Sequence, residues 1–341
     1  MAATSNRHLV LVDRPRAAVE AKHFEMRTGP VPSPGPGEIL LRTVWLGFDP
    51  TQRGWLNDVK SYMPPVAIGE TMRSTGIGQV IESNNPDFAV GDWVQGMVGW
   101  QEYAVLAPKG PMRATKVPPG VDPKAMLSIY GTTGLTAYFG LLDVGQPVEG
   151  DVLFVSGAAG STGSIVGQIG KILGCRVIGS AGSAEKCEWV TGVAGFDECI
   201  SYRTDDQTKR LRQLAPKGIN VFFDNVGGPT LEAALDNLAL HARVALCGGI
   251  SSGYTVEALP PGPRNYMQLV IMRARMEGFL LLDYAARFGE AIQKLAGWVN
   301  EGRIVYAEDI QEGLENAPVT LDRLFSGKNL GKQLLKVADP V

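Results

Sequence analysis

The residues whose types and spacing point most directly to chemistry lie at 152–173. The run Val152-Leu-Phe-Val-Ser156 reads as a buried strand, and Gly157-Ala-Ala-Gly160-Ser-Thr-Gly163-Ser164 follows it directly, before a helical stretch from Ile165 to Leu173. In such a unit the small residues let backbone approach a pyrophosphate, while the helix offers unpaired N–H groups and the positive end of its dipole. The loop reads Ala158-x-Gly160-x-x-Gly163, a variant of the GxGxxG dinucleotide fingerprint, and a tight strand-to-helix turn with no ligand is the alternative reading. The next strand, Cys175 to Ser180, leads into Ala181-Gly-Ser-Ala-Glu-Lys186. An NAD site commonly has a carboxylate at that strand tip for the ribose 2′-hydroxyl. Here a serine and then Lys186 follow instead, which suits a 2′-phosphate and favours NADPH over NADH. Glu185 tempers the expectation, and a solvated helix lysine is the plain alternative for Lys186.

Metal chemistry lacks its parts. The chain has three histidines, His8, His23 and His241, and four cysteines, Cys175, Cys187, Cys199 and Cys247, with no Cys-x-x-Cys pair. No zinc site is expected, so electrophilic assistance falls to hydrogen-bond donors. The cysteines are expected to be reduced and buried.

The elements that position these residues follow from composition and pattern. The chain has 341 residues, 45% of them hydrophobic and 20% charged, enough for two packed domains. A formal net charge of -3 lacks the basic excess that nucleic-acid binding needs. No apolar run reaches membrane-spanning length and the amino-terminal apolar run is too short for a secretory signal, so a soluble, cytoplasmic protein is expected. Up to about residue 120, short β-type runs such as EILLRTVWLG and GIGQVIES alternate with Pro- and Gly-rich turns. From about 126 a helix expected from Ala125 to Val144 leads into alternating strand and helix segments, the mark of right-handed βαβ units and a parallel sheet. The apolar strand QLLKV near the end is expected to return to the first domain.

The chain carries, in order, DPTQRG (49–54), MRSTGIGQVIES (72–83), GWQEYAV (99–105), YGTTGLTAYFGL (130–141), GAAGSTGSIVGQIGK (157–171), AGSAEK (181–186), FDNVGG (223–228), ARVALCGGIS (242–251), PPGPRNY (260–266), RARMEGF (273–279), GLENAP (313–318) and GKNLGK (327–332). Taken together, these segments resemble the zinc-independent medium-chain dehydrogenase/reductases, in the branch that contains prostaglandin reductases, leukotriene B4 12-hydroxydehydrogenase, plant alkenal double-bond reductases and bacterial curcumin reductase. The resemblance implies an α/β fold with a GroES-like, mostly β catalytic domain at 1–125, a Rossmann doubly wound parallel-sheet domain binding NADP at 126–310, a return to the catalytic domain at 311–341, and a homodimer. It implies cofactor contacts from Gly160, Ser161, Thr162 and Gly163 at the pyrophosphate, and from Lys186 and Tyr202 at the 2′-phosphate end. Further contacts are implied from Asn225, from Cys247, Gly248, Gly249, Ile250, Ser251, Ser252 and Gly253, from Phe279, Leu280 and Leu281, and from Asn329.

The reaction implied is reduction of a carbon–carbon double bond conjugated to a carbonyl, with hydride delivered to the β-carbon and charge building on the carbonyl oxygen, on a small hydrophobic enone or enal. Tyr62 resembles a site-lining tyrosine. Another family tyrosine aligns with Ile271, leaving Tyr266 as the nearest phenol, so Tyr62, Tyr266 or the cofactor ribose hydroxyl is the donor. Packing or dimer contact is the alternative for both phenols. Thr51 and Gln52 stand where relatives often have tyrosine and methionine, which is expected to reshape the substrate pocket. A quinone reductase and a non-catalytic NADPH-binding protein are the competing readings.

Overall fold

A computed structural model describes residues 4–108, 113–256 and 261–341; Pro260 of PPGPRNY lies outside them. The strands are β1 (Ser5–Leu11), β2 (Phe24–Pro30), β3 (Ile39–Gly47), β4 (Thr75–Ser83), β5 (Trp93–Met97), β6 (Tyr103–Leu106), β7 (Thr115–Lys116), β8 (Val152–Val155), β9 (Arg176–Ala181), β10 (Glu198–Ser201), β11 (Ile219–Asp224), β12 (Leu238–Leu246), β13 (Arg275–Gly278), β14 (Glu308–Glu312) and β15 (Lys332–Lys336). The chain divides into two compact units, one of Met1–Ser128, Gly253–Glu257 and Glu308–Val341, the other of Ile129–Ser252 and Ala258–Ala307.

In the first unit a sheet runs in the order β14-β15-β3-β4-β5-β7, with β6 also on β3, and β1-β2 form a separate ribbon. The amino half of β3, Ile39–Arg42, pairs with β6, and its carboxyl half, Trp45–Gly47, pairs with β15. Leu11, Ile39, Leu41, Leu46, Trp100 and Leu335 fill the core.

The second unit is one parallel sheet in the order β10-β9-β8-β11-β12-β13. Counted along the chain this is 3-2-1-4-5-6, the doubly wound order, and the connections reverse direction between β8 and β11. Leu153, Phe154 and Val155 of β8, and Val221, Phe222 and Phe223 of β11, are fully buried, as an apolar run covered on both faces requires. The helix expected over Ala125–Val144 is broken: a short 3-10 turn at Pro123–Met126, then an α-helix at Thr132–Phe139 continuing into a π turn at Gly140–Gly145. Gly131 is extended at the helix start, and a Cβ on Gly134 would lie 1.9 Å from the Ile129 carbonyl oxygen. Among the described residues no helix is long and apolar enough to cross a membrane.

Candidate active site

Where a doubly wound sheet reverses its winding, the loops leaving neighbouring strands part and open a crevice at their carboxyl ends. In the second unit that point lies between Val155 and Asp224. Gly157, at φ +62°, turns the chain out of β8, and the helix Ser161–Ile172 begins after an extended Gly160. A Cβ on Gly163 would stand 2.4 Å from the Gly157 carbonyl oxygen. Only glycine lets the helix start this close to the turn. The Ser161 hydroxyl donates to Thr133 Oγ1 at 2.8 Å, fixing the first helical turn from the side.

A buried polar knot underlies this turn. Asp224, fully buried, accepts from the Ser156 hydroxyl at 2.8 Å and from the N–H groups of Val226 and Gly227 at 2.9 and 3.0 Å. Burial pushes its carboxyl pKa up, against the downward pull of those same donors. Ser156 Oγ accepts from the Asn225 N–H at 2.8 Å, and Asn225 Nδ2 donates to the Ser156 carbonyl at 2.7 Å. The Asp224 carbonyl takes the N–H groups of Cys247 and Gly248, and Ser251 donates twice to the Val226 carbonyl. The ends of β8, β11 and β12 are thereby tied to one another. Burial, with Asp224 beside it, pushes the Cys247 thiol up to about 12. Phe279 follows β13 directly and packs edge-on to Phe223 at 6.2 Å between ring centroids.

At the tip of β9, Ser183 caps the helix Ala184–Gly192 by accepting from the Lys186 N–H. The Tyr202 N–H donates to the Ala181 carbonyl at 3.1 Å, and the ring stands over Gly182, where an added Cβ would meet its hydroxyl at 2.5 Å. So Gly160–Gly163, Lys186, Tyr202, Asn225, Cys247–Ser252 and Phe279–Leu281 all sit on loops leaving the carboxyl edge of one sheet. The donor set fits a dinucleotide: a helix start, backbone N–H groups and no carboxylate at the tip of β9 itself, with Lys186 as the cation and Glu185 beside it in the first helical turn.

Tyr266 is elsewhere on this unit. Its neighbour Asn265 donates to the Glu232 carbonyl and to Asp236 Oδ1, and Asn237 next to Asp236 accepts from Ile219 at the start of β11. That is the amino edge of the sheet, opposite the Gly turn. Tyr266 is 58% exposed, as is Ile271, with Met267 and Val270 also exposed.

The first unit holds the remaining candidates. Tyr62 is 49% exposed and its hydroxyl is hydrogen-bonded to Thr51 Oγ1. The DPTQRG turn that carries Thr51 is bound from below. Arg53 donates to Asn57 Oδ1 and to the Pro15 carbonyl, both at 2.7 Å. Gln52 Nε2 donates to the Gly47 carbonyl and to Ser74 Oγ. Gln52, read from sequence as shaping a pocket, is therefore a buried strut. Lys332, 2% exposed, pairs with Asp49 at 2.5 Å; Asn329, three residues earlier, donates to the Gly331 carbonyl. Gly253 belongs to this unit as well. Sequence reasoning assigned no role to Ser156, Asp224, Thr133 or the Asp49–Lys332 pair, although each lies in the Val152–Ser156 run or in one of the family-like segments FDNVGG, YGTTGLTAYFGL, DPTQRG and GKNLGK.

A doubly wound parallel sheet with a glycine turn at its reversal point, joined to a β unit completed by the chain's last strands, defines a two-domain dinucleotide-binding class. Residues 7–114 match the family described as "N-terminal domain of oxidoreductase" and residues 161–297 the family described as "Zinc-binding dehydrogenase". The chain is 44% identical over 338 residues to NADPH-dependent curcumin reductase of Escherichia coli strain K12, spanning 98% of this chain and 97% of that protein. It is 38% identical over 310 residues to the 2-alkenal reductase (NADP(+)-dependent) of Nicotiana tabacum, spanning 89% and 88%. The crystal structure of CurA in complex with NADPH from Vibrio vulnificus matches with a TM-score of 0.92 at 42% identity, over 98% of this chain and 100% of that one. The chain belongs to the zinc-independent branch of the medium-chain dehydrogenase/reductase family. Although one matched description names zinc, among the described residues no group of three or more His, Cys, Asp or Glu side chains can hold a metal.

Proposed function

We propose that this protein is an NADPH-dependent reductase of the carbon–carbon double bond of α,β-unsaturated aldehydes and ketones. The observation that carries the reading is the β9 turn, free of carboxylate at the strand tip and flanked by Lys186 and Tyr202, below a glycine turn at the reversal point of the sheet. That turn suits a phosphorylated ribose, and the relatives are named as an NADPH-dependent curcumin reductase and an NADP(+)-dependent 2-alkenal reductase. Bound NADPH supplies the hydride.

The chain's own residues do the rest. Gly160–Gly163 and the helix start hold the pyrophosphate, and Asn225 with Cys247–Gly253, Phe279–Leu281 and Asn329 hold the nicotinamide half, which fixes the face presented to substrate. Tyr62 donates a hydrogen bond to the carbonyl oxygen on which charge develops, its hydroxyl oriented by Thr51. Tyr266 is the weaker candidate because it lies at the opposite edge of its sheet. In this reading the functional domains are 1–125, 126–310 and 311–341, near the compact units apart from Gly253–Glu257. A homodimer through the outer edge of the parallel sheet fits the exposed Met267, Val270 and Ile271 beside the open edge strand β13.

The test is NADPH oxidation with 4-phenyl-3-buten-2-one, repeated with NADH, with 1,4-naphthoquinone and after exhaustive chelation. Chelator-resistant enone turnover that prefers NADPH supports the proposal. Turnover of the quinone alone selects a quinone reductase, and binding without turnover selects an NADPH-binding protein.

A further inference from the structure

Under the β9 turn two thiols touch. Cys187 directly follows Lys186 in the first turn of helix Ala184–Gly192, and Cys199 lies in β10, three residues before Tyr202. Cys199 Sγ donates to Cys187 Sγ at 2.7 Å. A disulfide bond is about 2.05 Å long, so joining the two sulfurs asks for a displacement of well under an ångström. Both cysteines are free and partly exposed, whereas Cys175 is buried. We propose that Cys187 and Cys199 are an oxidisable pair, closed to a disulfide by a hydroperoxide, and that closure loosens the grip of the Ser183–Lys186 turn on a 2′-phosphate. The second half rests on the NADPH reading above.

The chemistry balances without a further reactant. The Cys187 sulfur attacks the peroxide O–O bond, becoming a sulfenic acid as the alcohol leaves. Cys199 then attacks the Cys187 sulfur, the S–O bond breaks, and water departs with the second thiol proton. Two thiols are oxidised and one hydroperoxide is reduced to alcohol and water. Cys187 goes first because its sulfur accepts the hydrogen bond from Cys199, which favours its thiolate; burial raises both thiols. The coupling runs through the helix start. Cys187 N–H donates to the Ser183 carbonyl at 3.0 Å, while the Ser183 hydroxyl reaches the Lys186 N–H at 3.3 Å, the longer tie. A pull on Cys187 toward β10 is taken up there, and Lys186 moves with it.

The experiment treats the whole protein with hydrogen peroxide under native conditions, caps remaining thiols, and maps peptides without reduction. In parallel, NADPH and NADH affinities are read by fluorescence. Expected are a Cys187–Cys199 cross-link reversed by dithiothreitol, two thiols still capped at Cys175 and Cys247, and NADPH affinity weakened about tenfold, one compromised charge-assisted hydrogen bond, with NADH unchanged. Cys199→Ser shows neither the cross-link nor the affinity change while binding NADPH as the reduced protein does. All four thiols remaining reactive after exposure would overturn the proposal, as would a cross-link that leaves NADPH affinity intact. If the reduced protein binds no NADPH, the cofactor reading fails and the coupling with it, while the cross-link is still measured directly.

Discussion

Tyr62 shows how much one hydroxyl partner decides. An exposed phenol samples many orientations, and the hydrogen bond to Thr51 narrows them for the Tyr62 hydroxyl; in the proposed reaction Thr51 donates to it and leaves the phenol proton for the carbonyl oxygen. Replacing Tyr62 by Phe is expected to lower kcat about 100-fold with little change in NADPH affinity, the usual cost of losing one donor to a developing oxyanion; steady-state kinetics with an enone checks it. Tyr266→Phe is expected to leave kcat close to that of the parent. Asp224 acts through others. Asp224→Ala strips the acceptor from Ser156 and from two N–H groups beneath the glycine turn, and unsatisfied buried donors cost about 1–3 kcal/mol each. Fluorescence titration is expected to show NADPH binding weakened by tenfold or more, with thermal stability lowered as well. The sequence marked FDNVGG and Asn225 but not the bond that makes this a knot. A serine and an aspartate 68 positions apart carry no mutual signal until a parallel pairing of β8 with β11 sets their strand ends side by side.

At the scale of elements, local pattern and long-range order part company. The βαβ alternation, the glycine loop and the strand QLLKV were readable because each is written in a few neighbouring residues: apolar runs, small residues and turn formers. The winding order was not readable from periodicity, since every buried parallel strand looks alike and only pairing distinguishes β8 from β12. The expected helix over Ala125–Val144 failed for a related reason. Its residues belong to two units that divide between Ser128 and Ile129, and the α-helix begins only after the extended Gly131. The glycine turn makes a sharp prediction. Gly163→Ala drives a methyl to within 2.4 Å of the Gly157 oxygen, so the helix start must retreat from the turn. NADPH affinity should fall by more than tenfold while circular dichroism stays near that of the parent; unchanged affinity would remove the pyrophosphate role of this helix.

For the whole molecule, buried thiols set an alkaline limit. Burial raises Cys175 to about 11 from an ordinary value of 9.0. A raised folded-state pKa gives stability that is complete below pH 9 and disappears as pH climbs through 11, because the unfolded chain ionises first. The shift is worth about 3 kcal/mol. Thermal melts from pH 8 to 11 should fall steeply, and Cys175→Ala should flatten part of the slope. The proposed homodimer is testable separately: if it forms through the exposed stripe beside β13, the parent sediments as a dimer and Ile271→Lys as a monomer with folding unchanged, whereas a monomeric parent overturns it. The strand order of the first unit has a last consequence, in time rather than in space. β15 fills the place on the carboxyl half of β3 that no earlier strand takes, with Leu334 opposite Gly47, so that sheet cannot be completed until the final strand has left the ribosome. The second unit, nearly continuous in the chain, has its strands in hand well before then. During synthesis the amino-terminal sheet waits with part of β3 unpaired, a template for the wrong partner, and chaperone demand should peak in that interval.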